Sequence, residues 1–336
     1  MKPGRWAQSH YLQFLARRLG HVLDSSWRSW RPGAPSPRRP ADISRPRIGA
    51  VQFRLSPVES ADIWHGRLAA IFQRAVEAHL NILVFPEDMP MPLLGVVRRW
   101  LPPSRTPPHP AQVKAFLTVL SPIAYHHWRM VMQSLAGHFG ILTVAGSGMT
   151  AQAGILYNQA VVISAKGEII AEQPKMHLFA FEQEWGVEPG PLTRQDAGCW
   201  PLYAVVCNDA TYYETFRMVR HQGADLVAVP IADPEPQYSE NKARRGTWAR
   251  VQETPVCGIV GAGTGLLFGF ALSGKAGIYL PAELTADGSG VLAESLDPYG
   301  EGLVTATVDL EALHDFQGTR LQLPPGPWHN LYQSAP

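Results

Sequence analysis

The chain has 336 residues, of which 46% are hydrophobic and 17% are charged, and its formal net charge is +1. This composition excludes a disordered chain, and the small net charge argues against nucleic-acid binding through bulk positive charge. No apolar run reaches the roughly 18 residues that a membrane-spanning helix needs. Arg17 and Arg18 interrupt the stretch where the apolar core of a signal peptide would run. Three cysteines make a poor disulfide framework, so we expect a reducing, cytoplasmic location.

The N-terminal segment differs from the rest in charge. Residues 1–47 hold ten Lys/Arg and two Asp/Glu, whereas the remaining residues hold nineteen and twenty-six. Within residues 5–30, Trp and Leu recur at helical spacing, which predicts a basic amphipathic helix, and the proline-rich stretch 31–46 predicts a linker. This helix either makes peripheral contact with an anionic membrane or docks on the body or on a second subunit. We expect a chain that begins near Ser44 to fold and to keep its activity.

Beyond the linker, strands alternate with helices, which predicts an α/β body, and short turns between neighbouring strands predict hairpins and therefore mixed sheets. In chain order, strands are predicted at Arg47–Phe53, Asn81–Phe85, Ile141–Ala145, Ile155–Ser164, Ile169–Gln173, Leu202–Val206 and Asp225–Val229. Helices are predicted at Ala61–His79, Ala111–Phe139 with a break or kink at Pro122, Tyr212–His221, Lys242–Thr254 and Leu310–Phe316. Residues 88–110 contain seven prolines and cannot form one regular element, so they either cover or line the pocket or form a surface excursion.

Three polar side chains stand where predicted strands or strand-ending loops finish: Glu87, Lys175 and Cys207. The carboxyl ends of strands are where α/β sheets form their sites. Each residue alone is a weak signal, because a Glu after a strand is usually a solvated cap, a loop Lys is usually a surface charge and a Cys usually packs in the core.

The sequence around these residues makes the signal specific. NILVFPED contains Glu87, KMHLF begins at Lys175, and VVCNDATYYETFR contains Cys207. In this order the motifs resemble the nitrilase superfamily of carbon–nitrogen hydrolases, in its amidase/carbamoylase-like branch, over roughly Arg47 to Gln317. The resemblance implies an α/β four-layer α-β-β-α sandwich with two mixed sheets. It also implies a small-molecule amide substrate, a homodimer or higher homo-oligomer, and no cofactor, metal or nucleic acid. We therefore expect an N-terminal extension at 1–46, a hydrolase domain at 47–320 and a C-terminal tail at 321–336.

These three residue types suit amide hydrolysis. A thiolate is a good nucleophile, but a free cysteine is mostly protonated near neutral pH, so a base is required. Glu87 is expected to accept the proton of Cys207 and later to activate water. Lys175 and the backbone N–H of Asn208 are expected to stabilise the oxyanion of the tetrahedral intermediate.

Members of the amidase branches have a second Glu shortly after the Lys, and here Glu182 and Glu184 compete for that position, with spacing slightly favouring Glu182. By the same resemblance, His177 is expected to support the site without carrying a proton. Asn208 and Asp209 are expected to shape the turn after the nucleophile. Cys199 and Cys257 are expected to be packing residues.

The sequence is less specific about the substrate than about the family. Carbamoylase-like enzymes have two arginines after the CND motif, which hold the substrate carboxylate, and here those positions are Ala210 and Thr211. We therefore expect neutral amides to react better than N-carbamoyl amino acids. The alternatives are acyl transfer from Cys207 to an amine, nitrile hydrolysis, which the missing Trp-Glu after the Cys disfavours, and a non-catalytic scaffold, which the intact Glu, Lys and Cys disfavour.

Overall fold

The computed structural model describes residues 5–33, 42–101, 108–195 and 198–320. Its α-helices are α1 Arg5–Ser29, α2 Ala61–Glu77, α3 Pro110–Phe139, α4 Ala180–Glu184, α5 Tyr213–His221, α6 Glu240–Ala243, α7 Thr247–Glu253 and α8 Leu310–Arg320. Its strands are β1 Arg47–Arg54, β2 Ile82–Val84, β3 Leu142–Gln152, β4 Ile155–Ile163, β5 Ile169–Pro174, β6 Leu202–Ala204, β7 Leu226–Ile231, β8 Cys257–Leu267, β9 Phe270–Leu272, β10 Gly277–Tyr279, β11 Val291–Glu294 and β12 Gly302–Thr307. The tail 321–336 lies outside the described residues.

Most predicted elements are present, with local differences at their ends. Helix α3 continues through Pro122 without a break and ends at Gly140, whose φ of 69° suits a left-handed helix end. The single helix predicted at Lys242–Thr254 is wrong, because the chain forms α6 and α7 with Arg244–Gly246 between them.

The strands form two mixed sheets. In the first, β1, β2 and β3 are parallel, β4 and β5 continue antiparallel beyond β3, and β12 lies antiparallel to β1. In the second, β6, β7 and β8 are parallel, and β10 and β11 follow antiparallel. The end of β1 pairs with the end of β8, Gln52–Arg54 against Ala262–Thr264, so hydrogen bonds join the sheets at their carboxyl ends.

Alternating side chains along the strands define the layers, because successive residues point to opposite faces of a sheet. Ile82 and Val84 belong to a core cluster between the sheets, whereas Leu83 packs in the cluster under α2 and α3. In the second sheet Leu226 faces the same central cluster, and Val227 packs in a third cluster with α5 and α7. The order of layers is helix, sheet, sheet, helix, which confirms the predicted four-layer sandwich.

Helix α1 packs on the body as part of the helical layer. Leu15, Leu19 and Leu23 are at most 1% exposed and belong to the cluster that includes α2 and α3. Trp27 and Trp30 are half-buried at the end of the helix and contact histidine rings of α3 and α2. The structure therefore supports the docking alternative, and the apolar face that a membrane would need lies against the protein.

A buried polar chain links α1 to the two helices beneath it. Ser26 of α1 hydrogen-bonds Asp62 and lies 3.3 Å from His65 Nδ1, and His65 Nε2 lies 2.8 Å from His127 Nε2 of α3. Burial lowers the pKa of His65 to about 4, against a rise from the Asp62 charge, and burial with the neighbouring histidines lowers the pKa of His127 to about 3. Both rings are therefore neutral near pH 7 and can share one proton between their Nε2 atoms.

The segment after Glu87 follows neither of the predicted alternatives. Met91–Trp100 forms a 3-10 helix, and its residues from Met91 to Val97 are buried against α1, α2 and α3. It is part of the helical core rather than a pocket cover or a surface excursion.

Across the described ranges, no helix is long and apolar enough to cross a membrane.

Candidate active site

Glu87 reaches the site through a close approach of two backbone segments at the carboxyl end of β2. Gly146 of β3 has φ 91°, and a Cβ on it would lie 1.9 Å from the carbonyl oxygen of Pro86, so only glycine allows this approach. The Glu87 carboxylate is 3% exposed, and its Oε2 accepts a hydrogen bond from the backbone N–H of Ala232 at 3.0 Å, just after β7. The side chain is thus oriented by both sheets.

Lys175 follows β5 and is 1% exposed. Its Nζ lies 2.9 Å from Glu87 Oε1 and 2.8 Å from Glu182 Oε2. Asn158 Nδ2 donates to Oε1 of both carboxylates, at 2.7 Å for Glu87 and 3.1 Å for Glu182. The backbone N–H of Phe179 donates to Glu182 Oε2 at 2.8 Å. One ammonium and one amide therefore hold two buried carboxylates together, as a buried charge cluster requires.

Cys207 follows β6 and is the first residue of a 3-10 turn, with φ 46° in the left-handed region. For a non-glycine residue this conformation costs on the order of 1–3 kcal/mol, so the surrounding structure must hold it. Asp209 provides that support, since its Oδ2 accepts from the backbone N–H of Val206 at 2.9 Å. Its Oδ1 accepts from the backbone N–H groups of Met176 and His177, at 3.0 and 2.7 Å. Asp209 thus ties the cysteine turn to the loop that carries Lys175.

The charges of the cluster set its protonation. Burial and the neighbouring Glu87 carboxylate raise the pKa of Cys207 well above the usual range of a thiol, against a lowering influence of Lys175. Burial alone would lower the pKa of Lys175, but the charges of Glu87, Cys207 and Glu182 outweigh it and raise that pKa. At neutral pH Cys207 is therefore a protonated thiol and Lys175 an ammonium.

Cys207 lies on the wall of a cavity of about 420 Å³, which suits a small organic molecule. Asn208, directly after it, lines the same cavity. Other lining side chains are Phe179, Thr211, Ile231, Asp233, Tyr238 and Lys242.

The structure separates the predicted supporting residues. Glu182 is 1% exposed and joins the cluster, whereas Glu184 is exposed and has no contact with it among the described residues. His177 contacts Asp209 through Nδ1 at 3.0 Å and stacks on Tyr212 at 3.9 Å between ring centroids, so Asp209 links it to the turn that carries Cys207.

Sequence reasoning missed two site contacts and misjudged one cysteine. Asn158 and the backbone N–H of Ala232 hold Glu87. A signal for Asn158 was the pair of amide side chains, Asn158 and Gln159, in the middle of the predicted strand Ile155–Ser164. Cys257 is buried, as predicted, but the prediction that Cys199 packs in the core is wrong, because this residue is exposed in the loop before β6.

Comparison with known proteins agrees with this architecture. The family model Carbon-nitrogen hydrolase matches residues 47–317, so the chain belongs to the carbon–nitrogen hydrolases of the nitrilase superfamily. No curated protein sequence matches the chain.

Solved structures show the same fold. A carbon-nitrogen hydrolase from Helicobacter pylori G27 has a TM-score of 0.65 at 18% identity, covering 87% of this chain and 99% of that one. Nit3 of Saccharomyces cerevisiae, a member of branch 10 of the nitrilase superfamily, has a TM-score of 0.61 at 17% identity, covering 85% and 98%. A variant of the amidase from Nesterenkonia sp. AN1, with the acetamide moiety of fluoroacetamide added to its active-site cysteine, has a TM-score of 0.59 at 22% identity, covering 86% and 100%. At these identities the likeness concerns the fold.

Proposed function

We propose that this protein hydrolyses the C–N bond of a small linear amide through a covalent acyl-enzyme on Cys207. The observation that carries the proposal is the arrangement of one buried ammonium, Lys175, between Glu87 and Glu182, with Cys207 on the wall of a cavity and within reach of the charges of Glu87 and Lys175. A nucleophile, a base and an electrophilic group are the parts that acyl transfer requires.

The protonation of the site defines the order of events. Because the pKa of Cys207 is raised, the thiol stays protonated until substrate arrives, and Glu87 accepts its proton as Sγ attacks the carbonyl carbon. Lys175 and the backbone N–H of Asn208 stabilise the oxyanion. Glu87 then gives the proton to the departing nitrogen, and ammonia or an amine leaves. In the second half Glu87 takes a proton from water as the water oxygen attacks the thioester. The C–S bond then breaks, the carboxylic acid leaves, and Glu87 returns the proton to the Cys207 sulfur.

Ammonia release from a panel of small primary amides tests this function. We expect release by the wild-type protein, no release by Cys207→Ala, and unchanged release by Cys199→Ala, the matched change of an exposed cysteine outside the cavity. Product formation only when an amine acceptor is added would instead support acyl transfer. No turnover of any amide, and no adduct on Cys207, would contradict the proposal.

A further inference from the structure

The buried hydrogen-bond chain beneath α1 has a defined direction. Ser26 donates its one hydroxyl proton to the Asp62 carboxylate, which can only accept. The Ser26 oxygen must therefore accept from His65 Nδ1, 3.3 Å away, and a neutral imidazole carries only one N–H. His65 Nε2 is thus an acceptor, and His127 Nε2, 2.8 Å from it, carries the proton that joins the two rings. The donors run from His127 to His65, then to Ser26 and Asp62.

The far end of this chain is a nitrogen without a partner. Because the proton of His127 lies on Nε2, its lone pair lies on Nδ1, which is buried and has no hydrogen-bond partner among the described residues. A second proton on this Nδ1 would be a buried donor without an acceptor. On His65 Nε2 it would face the N–H of His127 across 2.8 Å. The docked arrangement accommodates a second proton at neither atom.

The charged groups around the two rings do not offset a second proton. Asp62 favours a charge on His65, but burial outweighs it and lowers the pKa of that ring to about 4. Burial, His65 and the exposed His126 lower the pKa of His127 to about 3. The buried stretch Met91–Val97, which packs on the same helices, contains no charged side chain.

Helix α1 covers the two rings from outside. Trp27 packs edge-on against His127 with 6.4 Å between ring centroids, and Trp30 lies 5.1 Å from His65. The same turn of α1 carries one charge, on the exposed Arg28. The main contacts of α1 are with α2, α3 and the 3-10 helix, whereas α3 also packs on β3 and β4. Helix α1 can therefore leave without opening a sheet.

We propose that the pair of His65 and His127 is an acid-sensitive switch for α1: uptake of a proton by the pair releases the helix, while the two sheets stay folded. Release lets water solvate the charged ring, which the docked helix prevents. It also uncovers the apolar face of α1, formed by Leu15, Leu19 and Leu23. The inference assigns the effect of acid to one element and does not depend on the proposed hydrolytic function.

Hydrogen exchange of the full-length protein between about pH 7 and about pH 4.5, read by mass spectrometry, tests this switch. Protection factors are compared, because they correct for the pH dependence of intrinsic exchange. In α1 they should fall below about pH 6.5 by up to about tenfold per pH unit for each proton taken up. At the lowest pH, α1 should exchange over a labelling time in which β1, β2 and β3 keep their amide protons. Protection of α1 that does not change with pH, or exchange of α1 and these strands together, would overturn the inference.

The variant His127→Gln separates the pair from a general effect of acid. The Gln amide can still donate to His65 Nε2 but takes up no proton, so the fall in α1 protection should become about tenfold shallower per pH unit. His21→Gln, at an exposed position of α1, is the matched control and should keep the wild-type fall. An unchanged fall in His127→Gln, or an equal change in His21→Gln, would overturn the inference. If His127→Gln does not fold, the wild-type comparison of α1 with the strands decides alone.

Discussion

The two competing glutamates after Lys175 give the sharpest test of the site geometry. We predict that Glu182→Gln reduces kcat/KM for a small amide by about ten- to hundredfold, whereas Glu184→Gln leaves it unchanged. Glu182 Oε2 accepts from Lys175 Nζ and from the backbone N–H of Phe179, both at 2.8 Å, and Oε1 accepts from Asn158 at 3.1 Å. Glu184 is the last residue of α4; it is exposed and contacts none of these groups among the described residues.

The magnitude follows from what glutamine cannot supply. Its carbonyl can replace Oε2, but its NH2 group would then face Asn158 Nδ2, which is also a donor. Asn158 cannot turn its amide without losing its 2.7 Å hydrogen bond to Glu87. The change also removes one of the two carboxylates beside Lys175. Hydrogen bonds to charged groups contribute about 1.5–3 kcal/mol each, and about 1.4 kcal/mol corresponds to a tenfold change.

Steady-state ammonia release measures this effect, with urea denaturation run in parallel to check that both variants are folded at the assay temperature. A surface change such as Glu184→Gln should alter the free energy of unfolding by no more than about 0.5 kcal/mol. Equal activity of the two variants, or a loss confined to Glu184→Gln, would refute the assignment of Glu182 to the cluster.

Two more predictions concern the helical layer. Leu19→Ala should lower the free energy of unfolding, measured by urea denaturation, by about 2–5 kcal/mol. Phe14→Ala, at a 39% exposed position of the same helix, should lower it much less. Equal small losses for the two variants would show that α1 is dispensable for stability. The free energy of unfolding should also fall as pH drops from about 6.5 towards the lowered pKa values of His65, about 4, and His127, about 3, because the unfolded chain binds protons that the neutral buried rings do not. The fall should reach up to about 1.4 kcal/mol per pH unit for each ring. A denaturation midpoint that stays flat over this interval, or a slope that His127→Gln leaves unchanged, would contradict this prediction.

The strands of the central sheets and the points where they end could be predicted from sequence because these signals are local. Short apolar runs end at Glu87 and Cys207, and the period of two along β2 and β7 fixes which side chains face the other sheet. The motif order then implied that Glu87, Lys175 and Cys207 meet. Lys175 Nζ lies 2.9 Å from Glu87 Oε1, and the catalytic roles of the three residues stay a prediction. The predicted homo-oligomer and the boundaries of the three segments stay predictions.

The binding surface of the N-terminal helix could not be predicted from its own sequence. Its charge and spacing predict an amphipathic helix, but the same pattern suits a membrane, another subunit or the body. The choice depends on the surface of α2 and α3, and on Ser26 meeting His65 across a long sequence separation. The apolar face of this basic helix packs in the helical core with α2 and α3. We therefore expect a chain that begins near Ser44 to be less stable than the full chain.

The charges of the cavity were also beyond local prediction. Asp233 follows a strand like Glu87, yet nothing in its neighbourhood in sequence distinguishes a surface aspartate from one that lines the pocket. Its position depends on β7 lying beside β8 and on Lys242 approaching from α6. The break between α6 and α7, which the helical pattern of Lys242–Thr254 conceals, brings that lysine to the cavity wall.

The most direct test of the central claim is the intact mass of the wild-type protein, quenched with acid during turnover of a reactive small amide, with Cys207→Ala as the control. Acid stops hydrolysis of the thioester, so the acyl-enzyme present at the quench should remain, and the protein mass should rise by the acyl group alone. Peptide mapping should locate this group on Cys207 and on neither Cys199 nor Cys257. An unchanged mass with every amide tried, or acylation of exposed Cys199 instead, would contradict the account.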